Sequence, residues 1–393
     1  MKKTLIISLE FPPYVGGVAT YVHDLADALD PERTVVLADL GENKGPTREK
    51  REVWDKEKKY KIVRKRLLFP KFIWPRWTRL IWHVWRIVRK EKIEVIFVQH
   101  VLPVGYAGIV MKKLFKIPFL LFSHGTDLIA GTATVWKRVM VTKVSNHADQ
   151  IIFNSYSLQS RYLRVLPQFE NKSFVLYPCP EPKFLEPPSR ASIDNLRKQY
   201  ALEGKQTLLS VSRLDEGKGF LHMIRYMSKI LEQVPNLVWF IIGGGIKSDE
   251  IVKSIRKHNL QNIVRFVGEI PHEALHPYYY TADIFVLLTH PDEGREEGLG
   301  LVFLEASAAG LPIIAGRSGG VPEAVLDGRT GLIVEATNEK QVVDATLKLL
   351  REKAYGKQLG KAAKERMIDD FQWHNQIKLL DPWILTAPDH LIT

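Results

Sequence analysis

The sequence predicts an α/β protein built from two doubly wound parallel sheets, one in each half of the chain. Its 393 residues exceed the size at which a single hydrophobic core usually stops growing, so two domains are expected. Short apolar runs rich in β-branched residues alternate with amphipathic helical patterns, which is typical of parallel sheets covered by helices on both faces. A proline-dense stretch at residues 178–188 interrupts this alternation, which then starts again.

Proline cannot donate to a strand ladder and favours an extended connector, so the domain boundary is predicted near Glu186. We expect a first domain over residues 1–185, a second over 186–375, and a C-terminal segment, 376–393, that returns to the first domain. Ligands of doubly wound sheets bind beyond the carboxyl ends of the strands. Two facing domains of this kind would therefore place their chemistry in the cleft between them.

Each half carries six predicted strands. In the first half they cover residues 4–9, 34–40, 95–99, 118–123, 150–154 and 173–177. In the second half they cover residues 207–211, 237–242, 264–267, 283–288, 312–315 and 331–334. The main predicted helices are 19–29, 74–90, 219–233, 301–309 and 341–353.

Cysteine content and hydropathy exclude several classes of protein. The single cysteine, Cys179, rules out an intrachain disulfide and favours a reducing compartment. The apolar run at 4–9 is cut by Glu10, which makes it too short for a signal peptide. The most apolar long window, 93–111, contains charged and polar residues and a proline, so no membrane-spanning helix is expected.

Positive charge is concentrated in one segment. Residues 56–92 hold fourteen lysines and arginines against two glutamates, a net charge of +12 that equals the net charge of the whole chain. The rest of the protein is therefore neutral. Such localisation predicts an anionic partner at one surface, with phospholipid headgroups, nucleic acid and an acidic substrate as alternatives.

The loop after the first predicted strand contains Gly16 and Gly17 directly before a helix. Glycines at this position let backbone N–H groups approach an anion, and the helix dipole adds to the attraction. The spacing is not that of the dinucleotide fingerprint, and a tight strand-to-helix turn is an equally good interpretation.

A second candidate phosphate site follows the first strand of the second half. Arg213 and Lys218 lie between that strand and the next helix, and a guanidinium with an ammonium suits a diphosphate. Ordinary surface cations are the alternative. Gly243 and Gly244, which follow another strand, add close backbone access at the same edge of the sheet.

The most specific stretch runs from Glu297 to Glu305, with seven residues between the two carboxylates. Glu305 falls inside an otherwise apolar predicted helix, where a carboxylate without a partner is costly, so a buried ion pair is the simple alternative. The amides of the glycines beside Glu297 could hold sugar hydroxyls and phosphate oxygens. The candidate donor-binding positions here are Gly298, Leu299, Gly300, Leu301 and Glu305.

Together these motifs resemble the retaining glycosyltransferases of family 4, which have the GT-B fold of two facing Rossmann-like domains. The resemblance covers nearly the whole chain, and within the family it is greatest for phosphatidylinositol mannosyltransferase-like α-mannosyltransferases. The matching motifs are residues 16–17, 124–127, 213–218, 243–245, 297–305 and 318–323. The family's Asn-Gly-Val-Asp linker is replaced by Pro-Cys-Pro-Glu at residues 178–181, which puts the hinge geometry in doubt.

The resemblance implies a role for each matched residue. Glu297 would hold donor-sugar hydroxyls, and Glu305 would accept from the ribose. Arg213 and Lys218 would neutralise the leaving diphosphate, with Gly16 and Gly17 approaching it from the first domain. His124 would lie near the transferred sugar, although a lone histidine after a strand is often structural. The backbone from Val267 to Ile270 would border the base.

The segment at residues 74–90 predicts a basic, tryptophan-rich amphipathic helix. Four of the nine tryptophans lie between residues 74 and 85, and indoles beside arginines suit a lipid interface. A cationic stripe that includes His83 would face outward, although solvation of that stripe alone is an equal alternative. The candidate membrane-contacting residues are Arg76, Trp77, Arg79, Trp82, Trp85, Arg86 and Lys90.

The predicted function is a retaining transfer of a hexose, with mannose favoured, from a GDP- or UDP-sugar to a lipid-linked or glycan acceptor. The enzyme would be cytoplasmic and peripheral to the inner face of an anionic membrane. No tightly bound cofactor, essential metal or nucleic-acid partner is expected. The alternatives are a nucleotide-sugar epimerase, a phosphorylase on the same fold, and a non-catalytic membrane or nucleic-acid binder.

Overall fold

The structure is a computed structural model that describes residues 1–14, 16–40, 47–70, 72–73, 75–125, 131, 134–293 and 295–386. The chain forms two compact units. The first combines Met1–Pro178 with the segment that starts at Trp373, and the second is Cys179–Gln372.

The first unit contains β1 (Thr4–Ser8), β2 (Thr34–Asp39), β3 (Lys61–Lys65), β4 (Val95–Val98), β5 (Phe119–Ser123), β6 (Gln150–Phe153) and β7 (Ser173–Val175). They pair in parallel in the order β3-β2-β1-β4-β5-β6-β7. The described helices of its main segment are Gly17–Ala28, Arg48–Lys56, Thr78–Glu91, Gly105–Phe115, Val135–His147 and Tyr156–Val165.

Both faces of this sheet are covered, and the two cores follow from strand alternation. Leu5 and Ile7 of β1 pack in one core with Leu80 of the helix Thr78–Glu91. Ile6 points to the other face and packs with Val22 of the helix Gly17–Ala28. Strands buried on both faces must be continuously apolar, which is why they were recognisable in the sequence.

The second unit contains β8 (Gln206–Val211), β9 (Leu237–Ile242), β10 (Val264–Gly268), β11 (Ile284–Leu287), β12 (Ile313–Gly316) and β13 (Leu332–Val334). All neighbours are parallel, in the order β10-β9-β8-β11-β12-β13. Its helices include Arg190–Gln199, Phe220–Leu231, Ser248–Lys257, His276–Thr281, Leu301–Ala308, Val321–Ala324, Glu339–Arg351 and Lys353–Asp369.

The predicted fold class is confirmed, since both units are Rossmann-like with parallel sheets. All twelve predicted strands are present, each within two residues at either end. β3 was not predicted, because Lys-Ile-Val-Arg-Lys reads as a charged segment and not as a buried strand. It lies at the edge of the sheet and pairs with β2 alone among the described strands, so it does not need the apolar pattern of a central strand.

The chain passes from the first unit to the second after Pro178 and returns after Gln372. The predicted boundaries were 185/186 and 375/376. The short helix Pro182–Leu185 already belongs to the second unit: Phe184 is buried, its ring lies 5.4 Å from that of Tyr279, and its carbonyl accepts a hydrogen bond of 2.9 Å from the Tyr280 hydroxyl. The return to the first unit begins at Trp373, whose ring lies 5.6 Å from that of Tyr21.

Candidate active site

The strand order of the second unit reverses between β8 and β11, and the loops that follow these two strands leave the same edge of the sheet. In doubly wound sheets such a switch point is where ligands bind. The loop after β8 carries Arg213 and Lys218, and the loop after β11 leads to Glu297.

Glycines allow the loop after β8 to lie against its neighbours without space for side chains. The Leu214 amide donates to the Gly244 carbonyl at 2.9 Å, which ties residues 212–214 to the glycines after β9. A Cβ atom on Gly243, whose φ is 140°, would clash with the Ser212 carbonyl, and one on Gly219, whose φ is 73°, would clash with Leu288. Both positions therefore require glycine.

Lys218 and Glu297 form an ion pair at this edge. The Lys218 ammonium lies 2.5 Å from Oε2 of Glu297, and the two side chains are only 20% and 17% exposed. Ser318 fixes the backbone beside the carboxylate, because its hydroxyl accepts from the Glu297 amide at 3.1 Å. The amide of Gly320 also donates to the Glu297 carbonyl, at 3.0 Å. The two predicted catalytic residues are thus in contact and held in place.

Backbone amides at the start of the helix Leu301–Ala308 lie next to this pair in the chain. Gly300 caps that helix with a φ of 86°, and a Cβ atom there would approach the Phe303 ring. Gly298 and Leu301 are partly exposed, whereas Leu299 is buried. The first amides of a helix have no intrahelical acceptor, so this turn can receive an anion or sugar hydroxyls.

Arg213 contrasts with Lys218 in being largely exposed. Its guanidinium lies 3.3 Å from Asp215, and 70% of the side chain is accessible. The side chain is long and only loosely paired, so it can turn toward a phosphate without breaking a buried contact.

Glu305 is buried and every oxygen of its carboxylate has a partner. The Tyr279 hydroxyl donates to Oε2 at 2.6 Å, and Nε2 of His272 donates to Oε1 at 2.9 Å. Nδ1 of His272 lies 2.8 Å from Glu181, which also pairs with Lys183 at 2.8 Å. Glu305 is therefore one end of a chain of charged groups, in line with the ion-pair alternative for this residue.

The charges of this cluster follow from its geometry. Both ring nitrogens of His272 face carboxylate oxygens, so both must carry protons. Burial by itself lowers the pKa of His272, but Glu305 and Glu181 outweigh it and raise the pKa to about 10. Burial opposes the ionisation of Glu181, yet the hydrogen bonds from His272 and Lys183 prevail and lower its pKa to about 2.

The residues predicted to border a base lie at the end of β10. Pairing with β9 skips Val267, since Phe266 pairs with Ile241 and Gly268 with Ile242. This irregularity takes the Val267 backbone out of the regular ladder, and both Val267 and Ile270 are partly exposed.

In the first unit, Gly16 and Gly17 begin the helix that follows β1. Gly16 caps the helix Gly17–Ala28, and its carbonyl accepts from the Thr20 amide at 3.0 Å. Its φ of 168° is extended backbone that any residue adopts, and a Cβ atom would have room, 3.8 Å from Glu10. Neither the backbone conformation nor the space around Gly16 therefore requires a glycine at this position.

His124 follows β5 and lies among aromatic and polar groups. Its Nε2 is 3.0 Å from Oε1 of Gln99, and its ring is 5.0 Å from Tyr21 and 6.4 Å from His100. Burial of the ring, and then the neighbouring His100, lower the pKa of His124 to about 3. The imidazole is therefore neutral at physiological pH. Thr126 and Asp127 of the same motif lie outside the described residues.

The predicted basic helix spans Thr78–Glu91, and its residues divide into buried and exposed positions. Trp77, just before it, stacks on Tyr106 with ring centroids 4.8 Å apart. Arg76 donates to the Phe69 carbonyl at 2.6 Å, and Arg79 lies 5.5 Å from the Phe69 ring. These three predicted membrane residues are thus half-buried and engaged within the first unit.

Other members of the helix do face outward. Trp82 is 50% exposed with Arg86 over its ring at 4.8 Å, and Lys90 is exposed, whereas Trp85 is partly buried. The assignment of His83 to the cationic stripe was wrong, because the residue is 9% exposed and packs inward. Burial, followed by the nearby cations, lowers the pKa of His83. Trp74 lies outside the described residues.

The described part of the chain contains neither a candidate membrane-spanning helix nor a candidate metal-binding cluster. None of its helices has the length and apolarity that crossing a bilayer demands. No group of three or more histidine, cysteine, aspartate or glutamate residues there has an arrangement that could hold a metal ion.

Family comparisons agree with this geometry. Residues 192–366 match the family described as glycosyl transferases group 1, and residues 15–179 match the one described as glycosyltransferase family 4. The chain belongs to these glycosyltransferases, which have the GT-B fold and use nucleotide-sugar donors.

The relatives that cover almost the whole chain include two mannosyltransferases from different genera. The GDP-mannose-dependent alpha-(1-6)-phosphatidylinositol monomannoside mannosyltransferase of Mycolicibacterium smegmatis is 26% identical over 95% of both chains. The corresponding enzyme of Corynebacterium glutamicum, named for a monoacylated acceptor, is 25% identical over 95% of both chains.

Solved structures show the same fold. HepE of Anabaena in complex with UDP has a TM-score of 0.80 at 16% identity, covering 97% of this chain and 98% of that one. Sucrose-phosphate synthase of Thermosynechococcus elongatus has a TM-score of 0.77 at 22% identity, again over 97% and 98%.

Sequence reasoning missed His272, Glu181 and Tyr279, which surround Glu305. The burial cost assigned to Glu305 indicated that a partner must exist, but not which one. One signal was available. Glu181 ends the Pro-Cys-Pro-Glu segment that departs from the family's linker, and a departure of this kind invites a search for the new residue's partner.

Proposed function

We propose that the protein transfers mannose from GDP-mannose, with retention of configuration, to a lipid-linked acceptor at an anionic membrane surface. The observation that carries the transferase chemistry is the Lys218–Glu297 pair, placed between two glycine-bearing loops at the sheet's switch point. The choice of GDP-mannose and of a lipid acceptor rests on the names of two relatives that match over almost the whole chain.

In the reaction the bond between the sugar's anomeric carbon and the diphosphate oxygen breaks, and a bond to the acceptor hydroxyl forms on the same face. The acceptor's proton passes to the departing diphosphate. Lys218 and Arg213 supply positive charge where the diphosphate gains negative charge, which stabilises the transition state. Glu297 positions the ammonium and accepts from sugar hydroxyls. Each carboxylate oxygen has two lone pairs, so both tasks are compatible.

His124 is assigned to the sugar and not to the phosphates. A neutral imidazole cannot offset the diphosphate charge, but it can exchange one hydrogen bond with a sugar hydroxyl. With Nε2–H donating to Gln99, Nδ1 remains as the acceptor.

The test is a screen of GDP- and UDP-sugars for nucleotide release, followed by lipid acceptors with the best donor and NMR of the new linkage. Release from GDP-mannose and an α-linked product are expected. A β-linked product would refute retention, and isomerised donor without transfer would point to an epimerase. Glu297→Gln keeps the shape of the side chain and serves as the inactive control.

Membrane docking is supported by a groove of about 560 Å³ in the first unit, between the edge strand β3 and the helix Thr78–Glu91. Its cations include Lys65, Arg86, Arg89 and Lys90, for which the described residues offer no acidic partner. Trp82 lines the same groove and is half exposed. Unpaired cations beside an exposed indole fit the headgroup region of an acidic bilayer.

Vesicle flotation tests this docking. Arg86→Glu, Arg89→Glu and Lys90→Glu together should abolish binding to vesicles rich in acidic phospholipid. The matched control reverses Lys253, Arg256 and Lys257, which are three exposed cations on one helix of the second unit. Equal binding by both triple variants would refute the proposed surface. Tight oligonucleotide binding that falls steeply with salt would favour nucleic acid instead.

A further inference from the structure

The surroundings of Glu305 leave part of its hydrogen-bonding capacity open. Tyr279 takes one lone pair of Oε2, and His272 takes one lone pair of Oε1. An ionised carboxylate has about four acceptor sites, so two remain. That is the number needed for the two hydroxyls of a ribose.

The orientation of this carboxylate is fixed from two sides. The Glu305 side chain is 6% exposed, so its direction is decided by protein groups and not by solvent. Tyr279 is fully buried and approaches Oε2, while His272 approaches Oε1. His272 is itself held at its other nitrogen by Glu181, which Lys183 secures. The ring also lies 5.5 Å from Phe184, so it has little freedom to turn.

We infer that His272 is a positioning residue for the donor. By linking Glu181 of the connecting segment to Oε1 of Glu305, it holds the carboxylate so that the remaining lone pairs accept the ribose hydroxyls. The inference rests on the proposed function, in which Glu305 receives that ribose. It assigns to the Pro-Cys-Pro-Glu segment a task in nucleotide binding, exerted through His272.

The molecule offers a matched control in His276. Its ring also lies 5.5 Å from Phe184, on which His272 packs as well. Its Nε2, however, donates to the Glu186 carbonyl at 2.7 Å and has no role at Glu305. A purely structural contribution from a histidine on Phe184 would be shared by both residues, whereas an effect on the ribose belongs to His272 alone.

The experiment measures binding of GDP and UDP, and of their 2′,3′-dideoxy forms, by calorimetry to the full chain and to His272→Gln and His276→Gln. Of GDP and UDP, the one that wild type prefers is compared in its unmodified form, which is called the ribose form. His272→Gln should bind this form about tenfold more weakly than wild type does, because one hydrogen bond to a charged group is lost. The dideoxy form should bind both proteins equally. In turnover, KM for the donor should rise about tenfold while kcat changes less than about twofold.

Each other outcome counts against the idea. Equal weakening of the ribose and dideoxy forms, or the same loss in His276→Gln, would overturn the inference and leave the proposed function standing. A wild-type protein that binds neither nucleotide would overturn both. Dideoxy binding by His272→Gln also shows that the variant is folded, and Glu181→Gln should reproduce its selectivity in weaker form.

Discussion

Two histidines of the candidate sites differ in charge at neutral pH, since His124 is neutral and His272 is cationic. His124, in the first unit, faces a carboxamide, aromatic rings and another histidine, and its pKa is lowered to about 3. His272, in the second unit, faces two carboxylates, and its pKa is raised to about 10. Residue type alone does not determine the charge, because neighbouring groups decide whether burial favours the neutral or the ionised ring.

The same contrast extends to the surrounding residues. Candidate positions in the second unit come in charge-balanced pairs, Lys218 with Glu297 and His272 with Glu305. The described donor-site candidates of the first unit, His124 and the glycines at 16 and 17, have no ionised side chain at neutral pH. A site that must hold a diphosphate needs fixed charges, whereas one that orients sugar hydroxyls works with neutral groups.

The largest effect is expected for Lys218→Ala, which removes a fixed cation from the proposed diphosphate site. We expect kcat/KM to fall about a thousandfold, the upper range for loss of one transition-state donor. Initial rates of transfer measure it. Arg225→Ala, on an exposed side chain of the next helix, is the control and should stay near wild type. A loss of kcat/KM below tenfold would mean that groups other than Lys218 stabilise the charge of the diphosphate.

The next largest effect is expected on stability, because the glycine loops of the second unit are too closely packed for a side chain. Gly243→Ala forces a Cβ atom against the Ser212 carbonyl at a positive φ, so the free energy of unfolding should fall by about 3 kcal/mol. Gly204→Ala is the matched control, because φ is +67° but no atom lies within 4 Å of the new Cβ. It should cost about 1 kcal/mol. Denaturant unfolding compares the two, and equal losses would remove the steric argument.

The cationic state of His272 predicts a pH-dependent stability. A histidine whose pKa is raised on folding stabilises fully below its unfolded value near 6.5 and loses that contribution as pH rises through about 10. The difference in unfolding free energy between wild type and His272→Gln should therefore be constant below pH 6 and shrink steadily as pH rises from 6.5 to about 10. A difference that does not change with pH would mean that His272 is neutral.

His124 should behave in the opposite way, with the smallest effect. His124→Asn keeps one donor and one acceptor, so we expect about a tenfold loss in kcat/KM from imperfect hydrogen bonding. Since the pKa of His124 is lowered to about 3, the pH-rate profiles of wild type and variant should be parallel from pH 5 to 8. An inflection near pH 6.5 that the variant loses would show that His124 titrates during turnover.

The parts of the site that could be predicted from sequence are those created by local chain geometry. Gly243, Gly300 and Lys218 lie at strand ends or helix starts, where neighbouring residues dictate the backbone. His272 is different, because both of its partners are distant in sequence. Glu305 lies 33 residues further along the chain, and Glu181 belongs to the segment that connects the two units. Such contacts depend on tertiary packing, and no short pattern encodes them.

The same distinction explains the errors in the basic segment. Helical periodicity alone assigns His83 to the same face as the arginines, since it is four residues from Arg79 and three from Arg86. Yet an amphipathic helix has residues at the border between its faces, and packing against a sheet decides where they point. His83 and the unpredicted strand β3 line one groove, with Lys65 near the imidazole, so the prediction from periodicity lacked an element that surrounds the histidine.

The segment that returns to the first unit also bears on how the protein is made. Leu380 and Ile384 are buried in the same core as Ile6 of β1, and the Lys2 amide donates to the Ile384 carbonyl. During synthesis, the ribosome must deliver the entire second unit before these side chains exist. The second unit can thus complete its hydrophobic core first. The core of the first unit, although most of its residues are synthesised earlier, remains incomplete until Leu380 and Ile384 pack into it.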